Sequence, residues 1–189
     1  MHFKPVAVVT VLSLLAFGGV ALAQGAKAPP AMPTPAAELS QLKYFVGAFQ
    51  CKGRAFESPF GPAHATEAKV EIDLELDGFW YTGRYTETKT QENPHPFEID
   101  FTWGYESAGK TFTASTHDNT GGSAMQTSSG WAGDKLVFDG TSMGMGMKAK
   151  MRDTFTKKGP DEVVHLAEME LNGKWTKLDE ETCKRAGAK

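Results

Sequence analysis

Gly140-Thr141-Ser142-Met143-Gly144 spells the Gly-x-Ser-x-Gly pattern of a nucleophile elbow, and Asp153 and His165 follow it in the order Ser, Asp, His. Such an elbow needs a strand that feeds a helix. Met143-Gly144-Met145-Gly146-Met147 is a poor helix start, and the surrounding chain has no parallel-sheet pattern. The segment therefore reads as turn plus strand, and no catalytic residue is assigned. Paired carboxylates such as Glu98 and Asp100 fall on the polar phase of a strand and read as its solvated face. The sequence holds no His-Glu-x-x-His, Cys-x-x-Cys or phosphate-cradling glycine loop, so no metal ligand set is assigned either.

Met143, Met145, Met147 and Met151 share one phase of period two, with Ala149 between the last two, and in one strand they would form a stripe on one face. Thioethers facing a lumen could meet Cu(I) or the face of a haem. The plainer reading is that flexible methionines fill an irregular apolar cavity while Gly144 and Gly146 let the strand bend. His165 is in phase with Val163, Ala167 and Met169 on an expected inward face, where it is either a hydrogen-bonded core histidine or an axial haem ligand. His64 and His95 sit beside prolines in expected exposed loops, and His117-Asp118-Asn119 is expected to end a strand and shape a turn. Trp80 and Arg84 share one strand face, while Phe79, Tyr81 and Tyr85 share the other; periodicity leaves open which is inside.

The elements that must position these residues are strands. From Lys43 onward apolar residues alternate with polar ones, broken by turn residues at intervals of roughly 8 to 12, the all-β pattern. In Lys69 to Asp77, Val70, Ile72, Leu74 and Leu76 alternate with charged residues; Phe97, Ile99, Phe101, Trp103 and Tyr105 repeat the rule. Turns are expected at Asp77-Gly78, Ser107 to Lys110, Gly121-Gly122, Gly133-Asp134, Asp139-Gly140, Lys158-Gly159-Pro160 and Asn172-Gly173. Thr34 could cap a short helix, with Pro35 in its first position, that ends near Leu42; no other helix is evident. Roughly ten strands with one apolar face each must bury that face against one another, and short sequential hairpins favour an antiparallel up-and-down barrel over a sandwich.

Lys4, the apolar run Val6 to Val20 and Ala21-Leu22-Ala23 before Gln24 make residues 1–23 a secretory signal peptide, too short in its apolar core for a transmembrane span. Cleavage removes Lys4 and no acid, taking the net charge from −3 to one unit more negative. That balance argues against binding a nucleic-acid backbone. The Ala/Pro-rich leader and short helix fill residues 24–41, and the barrel domain is expected over 42–186. Export favours a disulfide, and Cys51 and Cys183, near the two ends of the domain, would stitch the seam between first and last strands. So long a closed loop would add roughly 4 to 5 kcal/mol. The periplasm and full secretion remain equal readings.

Leu42 and Gly47-Ala48-Phe49 resemble the Gly-x-Trp start of lipocalin-like (calycin) barrels, with Phe49 in the Trp position and Arg185 as the basic residue that the last strand lays over that ring. Phe49 opposite Arg185 places Cys51 opposite Cys183, so the two clues agree. Gly78-Phe79-Trp80-Tyr81, Gly104-Tyr105, His117-Asp118-Asn119 and Gly140-Thr141 resemble a family of uncharacterised bacterial secreted proteins, a domain of unknown function related to lipocalins. The resemblance implies a lipocalin-like fold and brings no reaction with it. The expectation is a non-enzymatic barrel that binds a small apolar or amphipathic molecule in a lumen bounded by Phe101, Trp103, Met143, Met145, Met147 and His165. The alternatives are a filled barrel acting as a structural or interaction protein of the envelope, and a haem or copper site. No cofactor is assigned.

Overall fold

The computed structural model describes residues 31–187, so the signal-peptide reading of residues 1–23 and the start of the leader lie outside the described residues. The strands are β1 (Gly47–Ala55), β2 (His64–Glu75), β3 (Trp80–Glu87), β4 (Glu98–Glu106), β5 (Thr111–Asp118), β6 (Ser123–Ser128), β7 (Trp131–Ala132), β8 (Lys135–Gly144), β9 (Met147–Lys157), β10 (Glu162–Leu171) and β11 (Lys174–Arg185). Each pairs antiparallel with its neighbour in sequence, except that β7 is a two-residue spur on β8. Pairing of β1 with β11 and of β6 with β8 closes ten strands into a barrel with no free edge.

One end of the barrel is plugged. Leu39, Leu42 and Phe45 recur every third residue, the period of a 3-10 helix, so Ala37–Phe45 puts all three on one buried face. This element begins later and ends later than the expected helix, and no side chain caps its start. The plug packs on an aromatic cluster in which Trp103 lies 5.0 Å from Phe45, 5.8 Å from Phe138 and 5.5 Å from Phe155, ring centre to ring centre. Trp131 stacks on Phe45 and donates its indole N–H to the Gln41 carbonyl. Tyr81 donates to the Leu39 carbonyl, tying β3 to the plug.

The seam follows the register expected from the sequence: Phe49 pairs with Arg185 and Cys51 with Cys183, and the two cysteines form a disulfide. Arg185 lies 4.7 Å over the Phe49 ring, donates to the Tyr44 and Val46 carbonyls, and bonds Asp161 at 2.8 Å.

Three local expectations fail. Asp139-Gly140 is not a turn but lies inside β8, where the glycine admits the close approach of the β6 backbone at Gln126. The turn is Met145-Gly146, both with positive φ (48° and 75°), a two-residue hairpin link like Asn172-Gly173. Leu74 and Leu76 do not join the core; Leu76 lies in the turn after β2 with φ 48° and is 67% exposed.

Candidate functional site

Side chains on the inner wall follow the parity of the strand ladders. On β9, β10 and β11 the inward positions include Asp153 and Phe155, His165 and Ala167, and Asp179 and Glu181; on β2 and β3 they include His64, Thr66, Tyr85 and Glu87. Together with Gln126 of β6 they form a polar belt between the plugged end and the opposite mouth.

His165 is its hub. Its Nε2–H donates to Asp153 Oδ1 at 2.9 Å, its Nδ1 faces Asp179 Oδ1 at 3.5 Å, and its ring stacks on Phe155 at 4.7 Å. The amide of Gln126 donates to the other Asp153 oxygen. Tyr85 donates across the lumen to Glu181, which is only 2% exposed. Glu87 accepts from the Asn93 amide and the Phe97 backbone N–H and faces His64 Nε2 at 3.3 Å.

These contacts set the charges. Burial alone would push the His165 pKa down, but the Asp153 hydrogen bond and the charges of Asp179, Asp153 and Glu181 outweigh it and raise it to about 9. Burial raises Asp179; the His165 charge opposes that, and Glu181, Asp153 and Glu87 add to it, so it is lifted to about 7. Burial, and then the neighbouring carboxylates, push the Tyr85 phenol up. Groups displaced this far by burial and named charge partners cluster at functional sites.

The same geometry decides the chemistry. Asp153 and His165 are paired, as a triad would require, but Ser142 lies within a strand, so no elbow forms. Both ring nitrogens of His165 face carboxylates, Asp153 Oδ1 at 2.9 Å and Asp179 Oδ1 at 3.5 Å, an arrangement that favours the charged ring and gives both nitrogens a partner within the protein. The methionine stripe is corrected as well. A hairpin interrupts it: Met143 is on the outer face of β8, Met145 is at the hairpin tip, Met147 is at the rim of the mouth, and only Met151 lies deeper inside. Phe101 packs over Gly83 and against Trp103, which is 5% exposed and belongs to the packed floor. His64, expected in an exposed loop, instead opens β2 and faces Glu87 in the belt.

The faces of β3 are now assigned. Tyr81 and Tyr85 point in, while Arg84 is exposed and forks onto Asp100 with two bonds of 2.7 Å. That pair borders an outer-wall depression of about 370 Å³. Among the described residues, the one set of three metal-ligating groups lying within 4.8 Å of one another is Cys51, Glu181 and Cys183, and its two sulfurs are already bonded together.

Sequence reasoning found His165 but missed Asp153, Asp179, Glu181 and Glu87 as inner residues. Their signal was phase: Asp179 and Glu181 alternate in step with Cys183, and Glu87 with Tyr81 and Tyr85. Acidic residues in step with buried ones look like a solvated face until the seam register is known.

No curated protein matches the chain. Among solved structures, the crystal structure of Rv2717c from M. tuberculosis is similar in fold, with a TM-score of 0.64 at 10% identity over 80% of this chain and 98% of that one. Residues 34–185, which include plug, seam and belt, match the family described as Protein of unknown function (DUF1579), and the chain belongs to that family.

Proposed function

We propose that this protein is an exported, non-enzymatic barrel that holds a small apolar or amphipathic molecule in its lumen, between the aromatic floor and the mouth. One observation carries the reading: inner-wall side chains of the belt retain accessible surface, 22% for His165, 33% for Asp179 and 13% for Asp153. In a barrel filled by its own side chains these positions would be covered, as Trp103 and Phe138 are at the plugged end. The site joins an apolar floor, Phe101, Trp103 and Phe155, to a few convergent polar groups, the usual make-up of a small-molecule site. Met147 contributes the rim and His165 the belt.

Export is supported by the disulfide, which persists in oxidising compartments. Among the described residues no helix is long and apolar enough to cross a membrane. The outward residues Lys69, Glu71, Asp73 and Glu75 of β2 make a wall suited to water and not to lipid. The test is native mass spectrometry of the protein recovered from the periplasm of an expression host. An added mass that organic solvent removes is expected; a bare mass that no amphiphile increases would sink the reading.

A further inference from the structure

Two hairpins stand side by side at the mouth, β8–β9 turning at Met145-Gly146 and β10–β11 at Asn172-Gly173, joined by the β9–β10 ladder. Both turns need a positive φ at their first residue, which asparagine tolerates, as at Asn172 (φ 53°), and methionine does not, as at Met145 (φ 48°). Met145 also holds its thioether chain in water, 59% exposed, with Met143 and Met147 exposed two residues to either side. Neither the turn nor solubility accounts for a methionine at that tip. A surface that takes up the side chain would.

The same two tips are basic. Residues 142–150 and 170–175 hold three lysines, Lys148, Lys150 and Lys174, against one acid, Glu170, on a chain whose net charge is −3. Lys150 bridges Glu170 at 2.8 Å, and among the described residues Lys148 and Lys174 have no acidic partner. Trp175 pairs with Glu170 across the β10–β11 ladder, exposed on the outer wall with the Arg152 guanidinium 4.4 Å over its ring. Elsewhere on the mouth the loops after β1 and β3 mix Glu57 and Glu92 with Lys89, so the cationic excess belongs to this side alone. At about 3.3 Å per strand residue, Lys148 stands roughly 7 Å back from the turn at Gly146. An apolar tip therefore leads and the cations follow.

We propose that this side of the mouth docks on the surface of an anionic lipid bilayer, with Met143, Met145 and Met147 entering the head-group layer, Lys148 and Lys174 meeting lipid phosphates, and Trp175 at the interface. An interfacial element enters lipid by about 5 to 10 Å, which brings Lys148 to the depth of the phosphates, and tryptophan favours the same boundary. Charge complementarity names the occupant. Unpaired lysines gain from an anionic surface, whereas a second copy of the chain, tip to tip, would set the same cations against them. The charged outer wall of β2 stays in water, so the contact is made by the tips and does not span the bilayer. The inference stands whether or not the lumen holds a ligand.

The experiment is co-sedimentation of the protein, purified from the periplasm of an expression host, with vesicles of phosphatidylcholine alone or mixed with phosphatidylglycerol, in about 0.05 M and about 0.5 M salt. Partition into the anionic vesicles is expected to exceed that into the neutral ones at least tenfold at low salt, and to fall several-fold at high salt. Met145→Asn suits the turn, so the fold should be kept or strengthened while partition drops several-fold. Lys148→Gln with Lys174→Gln should cost about tenfold or more. Equal partition into both kinds of vesicle, partition into neither, or a Met145→Asn protein that partitions like wild type overturns the proposal. A vesicle-free dimer in analytical ultracentrifugation that Met145→Asn dissolves gives the tip to a second copy of the chain, and overturns it too.

Discussion

His165 and Asp153 meet at 2.9 Å without standing opposite each other: across the β9–β10 ladder His165 faces Phe155 and Asp153 faces Ala167. The small Ala167 leaves the diagonal open, so the imidazole can lean over it toward Asp153 on one side and Asp179 on the other. A charged ring held between two carboxylates inside a barrel makes the stability of the fold depend on pH.

His165 binds its proton more tightly folded, near 9, than unfolded, near 6.5. Its contribution is therefore complete below pH 6.5 and is lost as pH rises through about 9. Asp179 also holds its proton more tightly folded, about 7 against 3.8, so its contribution is complete below pH 3.8 and is lost as pH rises through about 7. The two slopes have the same sign. Melting temperature is expected to fall steadily from pH 5 to pH 9.5, with about 2 kcal/mol from His165 after allowance for solvent screening. His165→Gln should flatten the upper part of the curve and Asp179→Asn the lower. A wild-type profile that rises between pH 6 and pH 9 would contradict the charge assignment.

The disulfide should contribute stability through the unfolded chain. Cys51 and Cys183 are 132 residues apart in sequence, so their bond removes much of the chain's unfolded freedom, worth about 4 to 5 kcal/mol by loop-closure entropy. Reduction, or the double replacement Cys51→Ala with Cys183→Ala, is expected to lower the urea midpoint with little change in the native circular dichroism spectrum. Equal midpoints for the oxidised and reduced protein would show that the seam holds without its staple.

How much of this was legible beforehand follows from what each residue signals locally. The seam was readable because two independent clues, the pair Phe49 and Arg185 and the pair of cysteines, demand one register. The plug helix was misplaced because Thr34-Pro35 is a strong start signal, whereas the burial of Leu39, Leu42 and Phe45 at period three decides the outcome. Met145-Gly146 was read as strand because a methionine at positive φ carries no turn signal, and Asp139-Gly140 as a turn because Asp-Gly does. The belt stayed hidden for another reason. Inward acids such as Asp179 and Glu181 acquire their meaning from partners on other strands, and one sequence does not display those partners.

Arg185 ties the last strand to the end of the plug through two carbonyls and to the loop before β10 through Asp161. It donates to the carbonyls of Tyr44 and Val46 and to Asp161 while covering Phe49. Lysine presents a point charge and cannot match that fork, so Arg185→Lys is expected to cost about 1 to 3 kcal/mol in urea denaturation. Arg185→Met keeps the stem over Phe49 but leaves the carbonyls unmet, and should cost more. A lysine variant as stable as wild type would mean that charge over the ring, and not the fork, is what matters.

Gly53 links the seam to the belt. A methyl group there would meet the Glu180 carbonyl and come within 2.7 Å of Glu181 Cα, both backbone atoms with no rotamer to yield. Gly53→Ala must therefore push β11 away from β1, at a cost of about 3 kcal/mol or more. Gly61→Ala, where an added methyl meets nothing within 4 Å, serves as the near-neutral control. The displaced backbone is that of Glu181, so the same methyl should also lengthen the bond from Tyr85 in any Gly53→Ala protein that still folds. A Gly53→Ala protein that loses this stability, beside a Gly61→Ala protein that does not, would show that the close approach of two backbones at Gly53 holds the seam; equal stability of the two would show that it does not.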